Sequence, residues 1–298
     1  MSDQDQKTKD IQQKTFFCSL ASTDSGELLQ ATAANYKCYV LLEYTGPFPE
    51  KPTQAAHDSG LLQRLDQYAK QQKGKLLLIR NEQSRADHIR IVLVDCQKER
   101  YSVQMLFINE LPHFDPKIFE SKEIRWQTRP FVAVCTNGNK DKCCAKFGFP
   151  IYRKFLEAGG CETWQCSHIG GDRFAANAVV FPYGLYYGRL QVADVEPVLA
   201  CITKRTIHAP NLRGLSRLSF FHQAVDCHLR NKLDRYDLAF RFEITIEGNM
   251  DDLWFVRGKL DNGDHFSVTL RKCIVDYPAL LTCTSHKKEK TVKWEVVA

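Results

Sequence analysis

Nowhere do the 298 residues reach the roughly 20 consecutive apolar residues that a bilayer span needs. The opening stretch, Met1 to Asp10, lacks the apolar segment of a secretory signal. Together these absences lead to the expectation of a cytoplasmic protein without a membrane span. There is no run of five or more like charges, and the net charge of +6 is mild and dispersed. That argues against nucleic acid or an anionic membrane as partner and leaves a small acidic partner open. No Gly-x-Gly-x-x-Gly follows a strand, which removes the usual nicotinamide and flavin fingerprint. No low-complexity tract interrupts the chain, and no pair of carboxylates stands in a glycosidase context.

What is present is an ordinary globular composition, 44% hydrophobic and 26% charged, long enough for two or three domains. It also contains 12 cysteines. In a short secreted chain they would suggest a disulfide framework, but spread over this length with no export signal they fit reduced thiols and a metal centre better. Cys18, Cys38, Cys96, Cys201, Cys227 and Cys273 lie in or beside apolar runs and are expected to act as small buried hydrophobes.

The chemistry concentrates in Cys135-Thr-Asn-Gly-Asn-Lys-Asp-Lys-Cys143-Cys144 and Cys166-Ser-His168-Ile-Gly-Gly-Asp172-Arg. Thiols, an imidazole and a carboxylate fall within 38 positions, on segments without the apolar periodicity of a core. Thiolate and imidazole are the donors of iron-sulfur clusters and of zinc. A two-iron cluster needs two donor pairs from separate loops. Here Cys135 and Cys144 have eight residues between them, and His168 and Asp172 have three. A zinc ribbon would present Cys-x2-Cys pairs, whereas Cys143 and Cys144 are adjacent, so zinc ranks second. Cys166-x-His168 matches half of a Rieske pattern, but the other half is missing. A thiol-disulfide oxidoreductase would want Cys-x2-Cys after the first strand, and Gly138 stands there instead. Cys161 and Cys166 remain either a redox pair or two unpaired thiols. Gly170 and Gly171 are candidate cofactor-binding positions, serving close backbone approach to a cluster or to a neighbouring strand.

Three units are expected: an α/β domain over 1–128, a second domain over 129–209, and a helix with an antiparallel β module over 210–298. The first reads as strand 39–44, helix 61–73, and strands 76–79, 89–94 and 101–107. In the second, strand 131–134 runs into Cys135, and Pro150 suits the first turn of a helix reaching Ala158. A short strand 163–165, a hairpin 178–187 and a helix capped by Asp194 follow. That order is thioredoxin-like. The tail reads as an amphipathic helix over 219–233 and three strands over 239–246, 254–260 and 266–275.

Cys144-Ala-Lys-Phe-Gly148, the His168-x3-Asp172 loop and Val179-Val-Phe-Pro-Tyr-Gly-Leu-Tyr-Tyr-Gly-Arg189 resemble the thioredoxin-like [2Fe-2S] ferredoxins. Cys166-Ser-His-Ile-Gly-Gly-Asp-Arg-Phe-Ala-Ala-Asn177 more narrowly resembles the sucrase/ferredoxin-like family, over about residues 130 to 205. That resemblance implies a [2Fe-2S] cluster in a thioredoxin fold, held by a Cys-x8-Cys pair and a His-x3-His or Cys-x3-Cys pair. Carried over, the ligands are Cys135, Cys144, His168 and Asp172. Asp172 departs from the usual His or Cys, and Cys166 or Cys143 are alternates for that fourth place. The implied work is one-electron transfer or redox sensing with a redox protein as donor or acceptor, an electron carrier rather than a substrate-converting enzyme. Competing readings are a structural zinc protein and a thiol-disulfide oxidoreductase.

Overall fold

The computed structural model describes residues 16–85, 87–276, 280–285, 287 and 289–297. A short helix, α1 (Cys18–Asp24), precedes the first unit. The apolar run there makes a wholly buried strand, β1 (Cys38–Glu43). Helix α2 (Ser59–Gln71) follows, with the Asp58 carboxylate accepting from the Leu61 amide at its start, an N-cap that satisfies one free donor. Its Leu61, Leu62, Leu65, Tyr68 and Ala69 share the buried face. Strands β2 (Lys75–Arg80), β3 (His88–Asp95) and β4 (Arg100–Phe107) complete the unit. β2 is parallel to β1, β3 antiparallel to β1, and β4 antiparallel to β3.

The second unit repeats that plan. Strand β5 (Phe131–Cys135), helix α3 (Lys142–Ala158), β6 (Glu162–Cys166), β7 (Ala178–Phe181) and β8 (Leu185–Tyr187) are followed by α4 (Val195–Thr203). Again the second strand is parallel to the first, the third antiparallel to the first, and the fourth antiparallel to the third. This is the thioredoxin-like βαβ–ββα arrangement, and the first unit has the same strand order and directions. Where α4 stands in the second unit, the first has only the turns Ile108–His113 and Pro116–Glu120.

The two units share one sheet. β2 pairs antiparallel with β6, matching Ile79 to Cys166 and Arg80 to Gln165. With β9 (Leu212–Leu215) on the far edge, the order is β4-β3-β1-β2-β6-β5-β7-β8-β9. The sheet curls until its two halves meet. Tyr101 of β4 packs edge-on to Phe131 of β5, ring centroids 5.1 Å apart, although four strands separate them in the order. Tyr39 meets Phe181 at 4.9 Å, and its hydroxyl lies 2.9 Å from that of Tyr186. The inner face is therefore a common core, and the helices cover the outer faces. Along β5 the period-two alternation sends Val132 and Val134 to the α3/α4 side and Phe131, Ala133 and Cys135 inward. Cys135 thus faces the joint interior of both units.

Helix α5 (Phe220–Leu233) links this body to a separate sheet of β10 (Phe242–Met250), β11 (Leu253–Leu260), β12 (His265–Asp276) and β13 (Lys290–Val297). Phe221, Val225 and Leu229 pack on that sheet, while Cys227 of the same helix packs on the second unit. Two strands lie outside the expected set. β9 carries Arg213 and Gly214 in four residues, which masks its burial. β13 makes the tail sheet four-stranded rather than three.

Candidate metal centre

β5 and β6 run parallel, so Cys135 and the start of the His168 loop leave the same end of the sheet, with Cys135 and Cys166 in register. The turn after Cys135 is tied to the first unit, where Asn137 Nδ2 donates to the Pro49 carbonyl at 2.7 Å and Asn139 Nδ2 to that of Phe48 at 2.8 Å. Asp141 then caps α3, accepting from the Cys143 amide at 2.8 Å. This corrects the expected helix start. α3 begins at Lys142, so Cys143 and Cys144 lie in its first turn, and Pro150 sits inside the helix. The lysines at 142 and 146 interrupt the apolar pattern that would have shown the earlier start.

Gly148 sets the approach of α3 to β5. A Cβ there would lie 2.1 Å from the Cys135 carbonyl oxygen, so only glycine lets the helix lie this close to the strand end. Gly148→Ala should lower stability by about 2 kcal/mol, as overpacking against a backbone atom does, and should loosen the Cys135–Cys144 pair. Chemical denaturation checks the first effect and thiol reactivity the second.

The other ligand loop is held from outside. Ser167 extends the pairing of β6 with β2, its amide donating to the Leu78 carbonyl and its hydroxyl accepting from the Leu78 amide, at 2.8 and 2.9 Å. Gly170 and Gly171 turn the chain back with φ of 97° and 80°, where a side chain would be strained. The open side of Gly171 faces Arg213, since a Cβ there would fall 2.5 Å from Nη2. Arg213 is buried in β9 and donates to the carbonyls of Gly170 (2.9 Å) and Thr32 (2.6 Å) and to Asn177 Oδ1 (2.8 Å). Asn177 in turn donates to the Gly171 carbonyl at 2.8 Å.

These elements bring Cys135, Cys144 and His168 together, their donor atoms all within 4.8 Å of one another. Asp172 joins them. Its Oδ1 lies 3.0 Å from His168 Nδ1 and accepts from Cys144 Sγ at 3.4 Å. Cys144 Sγ lies 3.8 Å from His168 Nδ1. The Cys144 thiol, and then the imidazole, hydrogen-bond to Cys135 and hold its pKa well below the usual thiol value against the opposing effect of burial. Cys144, donor in that pair, is pushed up. Burial pulls His168 down, but Asp172 and Cys135 outweigh it and raise the ring to about 9. Asp172 is lowered: the His168 hydrogen bond overcomes its burial. The site gathers a thiolate, a thiol, a protonated imidazole ring and a carboxylate, with Asp172 in contact with His168 and Cys144.

The two alternates stand elsewhere. Cys166 is fully buried beside Cys135, its register partner on the neighbouring strand, and is outside the group of close donors. Cys143 points to a different group, with Cys18, Asp141 and Cys283. Cys18 is buried among apolar side chains as expected, but it also meets two further thiols and a carboxylate. Cys161 and Cys166 flank opposite ends of β6, about 16 Å apart at strand rise, far beyond the Cα separation a disulfide allows. They are not a redox pair. Lys75 was not foreseen: it is the first residue of β2, and its ammonium interacts with Cys135, Cys166 and Asp172 while burial lowers its pKa. A lysine at a strand start gives no signal in the sequence. Arg213 was likewise hidden, a charge inside Leu212-Arg-Gly-Leu215.

A thioredoxin-like sheet with clustered cysteine, histidine and aspartate donors at the C-terminal ends of its parallel strands defines the class of this protein. Residues 29–214, more than half of the chain, match the sucrase/ferredoxin-like family, and the chain belongs to it. Among curated proteins, altered inheritance of mitochondria protein 32 of Meyerozyma guilliermondii is 28% identical over 99 residues. That alignment covers 30% of this chain and 34% of the relative, so the match spans about a third of that protein. A thioredoxin-like [2Fe-2S] ferredoxin from Aquifex aeolicus aligns at 16% identity over 26% of this chain and 81% of its own, with a TM-score of 0.23. Among the described residues no helix is long and apolar enough to cross a membrane.

Proposed function

We propose that this chain holds a [2Fe-2S] cluster with Cys135, Cys144, His168 and Asp172 and serves one-electron transfer or redox sensing, with a redox protein as donor or acceptor. The observation that supports it is the convergence of Cys135, Cys144 and His168 donor atoms within 4.8 Å, with Asp172 Oδ1 on two of them. The donor chemistry fits. A depressed thiolate at Cys135 and an imidazole are iron-sulfur ligands, and a carboxylate replaces one further anionic donor. A bound cluster would supply a centre that takes up and gives back one electron.

The chain's own residues do the rest. The buried side chains around Cys135 and Cys144 exclude water, which strengthens every charge interaction at the site. Lys75 offsets negative charge from the interior side. Arg213 and Asn177 fix the loop that carries His168 and Asp172, so the donors are held in place rather than ordered on binding. The His168 side chain, 17% exposed, is the ligand nearest to solvent and the place where a proton could be exchanged. Thiol-disulfide exchange is less well supported, because Cys135 and Cys144 are each 1% exposed and a partner disulfide could not reach them. Anaerobic purification tests the reading: red-brown protein with about two iron and two sulfide per chain and a one-electron reduction signal is expected. Colourless protein free of iron and sulfide after reconstitution would overturn it.

A further inference from the structure

A second cluster of thiols lies on the other side of the first turn of α3. Cys18 comes from α1, Cys143 from α3 and Cys283 from the segment between β12 and β13, separated by 125, 140 and 265 positions. Their sulfurs form a near-equilateral triangle: Cys143 to Cys283 is 3.3 Å, Cys18 to Cys143 is 3.6 Å and Cys18 to Cys283 is 3.6 Å. The Asp141 carboxylate completes the group, 3.8 Å from Cys18 Sγ through Oδ2. All four side chains are buried, at 0%, 1%, 0% and 4% exposure for Cys18, Asp141, Cys143 and Cys283.

We infer that Cys18, Cys143, Cys283 and Asp141 form a structural zinc site. Tetrahedral zinc binds sulfur at about 2.3 Å, which requires sulfur–sulfur edges of roughly 3.8 Å. A triangle with edges of about 3.5 Å places an ion at that bond length about 1 Å out of its plane, on the side a fourth ligand must occupy. Three sulfurs from distant segments meeting in this way are not explained by packing, because a cysteine used as a small hydrophobe has no need of two others in contact. A disulfide would take one pair, draw it to about 2 Å and leave the third thiol out, whereas here all three edges are similar. A carboxylate buried among three sulfurs is costly unless a cation balances it.

The surroundings act as a zinc shell does. The Cys18 amide donates to Cys283 Sγ at 3.4 Å and Ser19 Oγ donates to Cys143 Sγ at 3.4 Å, bonds that favour thiolates. Asp141 accepts from the amides of Cys143 and Cys283, at 2.8 and 2.7 Å, which fixes its orientation. The site would pin α1 and the segment before β13 to the helix turn that also carries Cys144. Consecutive helical positions are turned by about 100°, so the adjacent cysteines serve the two sites on either side of the helix.

The test is metal analysis of this chain purified without chelators. About one zinc per chain is expected in the wild type, falling at least tenfold in Cys283→Ser, while iron and sulfide are unchanged. Should Cys283→Ser fail to fold, Cys144→Ser serves instead: cobalt(II) added to chelator-stripped Cys144→Ser should give the intense visible bands of tetrahedral thiolate coordination without cluster absorption. Zinc-free wild type that takes up neither zinc nor cobalt would overturn the inference. So would a Cys143–Cys283 or Cys18–Cys143 disulfide in the non-reduced peptide map, or zinc unchanged in Cys283→Ser. Because zinc and iron are counted separately, failure here leaves the cluster reading standing, and the reverse also holds.

Discussion

Cys144→Ser and Cys135→Ser are each expected to strip the purified protein of its visible absorption and lower its iron and sulfide by more than about tenfold. Changing even a residue behind a metal ligand costs 10- to 100-fold in affinity, and these two would be ligands themselves. Cys38→Ser and Cys227→Ser, which alter thiols packed in apolar cores away from the site, should leave the metal content intact. The adjacent pair makes the experiment sharp. Cys144 turns toward Cys135, His168 and Asp172, and Cys143 toward Cys18 and Cys283. Full iron and sulfide in Cys144→Ser would move the ligand to Cys143. For the fourth place, Asp172→Ala should leave a labile cluster and Cys166→Ser a stable one, because Asp172 Oδ1 touches two of the other donors. The opposite pair of results would assign Cys166.

Much of this was readable in the chain because it rests on local signals. Strands β1 to β8 are short apolar or alternating runs between turn residues, and their bounds fall within a residue or two of those expected. The ligand segments stood out since cysteine, histidine and aspartate in a polar stretch have no packing explanation. What could not be read depends on distance in sequence. That the first unit joins the second through β2 and β6 rests on a short pairing, Ile79 with Cys166 and Arg80 with Gln165, extended by Ser167 on Leu78. The triangle of Cys18, Cys143 and Cys283 is invisible for the same reason, since the three segments meet only when the tail module folds back past α1. Arg213 and Lys75 look like ordinary surface charges in sequence. Burial makes them parts of the site, and burial is set by tertiary packing.

His168→Cys, if the cluster survives the change, is expected to lower the reduction midpoint by on the order of 100 mV and to flatten its dependence on pH. The first effect follows from charge. A neutral imidazole leaves the centre one unit less negative than a thiolate does, and a less negative centre accepts an electron more readily. Centres with two histidines lie hundreds of millivolts above the all-cysteine plant type, at about −150 to +300 mV against about −400 mV. One imidazole beside an anionic Asp172 should put the wild type between those classes. The second effect follows from the proton the ring can carry. Reduction adds negative charge next to His168 and tightens its hold on a proton at the nitrogen not used for metal, so electron and proton arrive together. The midpoint must then fall as pH rises, by up to about 59 mV per unit for one electron and one proton, between the oxidised and reduced pKa values. A cysteine ligand has no such nitrogen. Protein-film voltammetry from pH 6 to 10 measures both, and a wild-type midpoint that is flat over this range and as low as an all-cysteine ferredoxin would take His168 out of the ligand set.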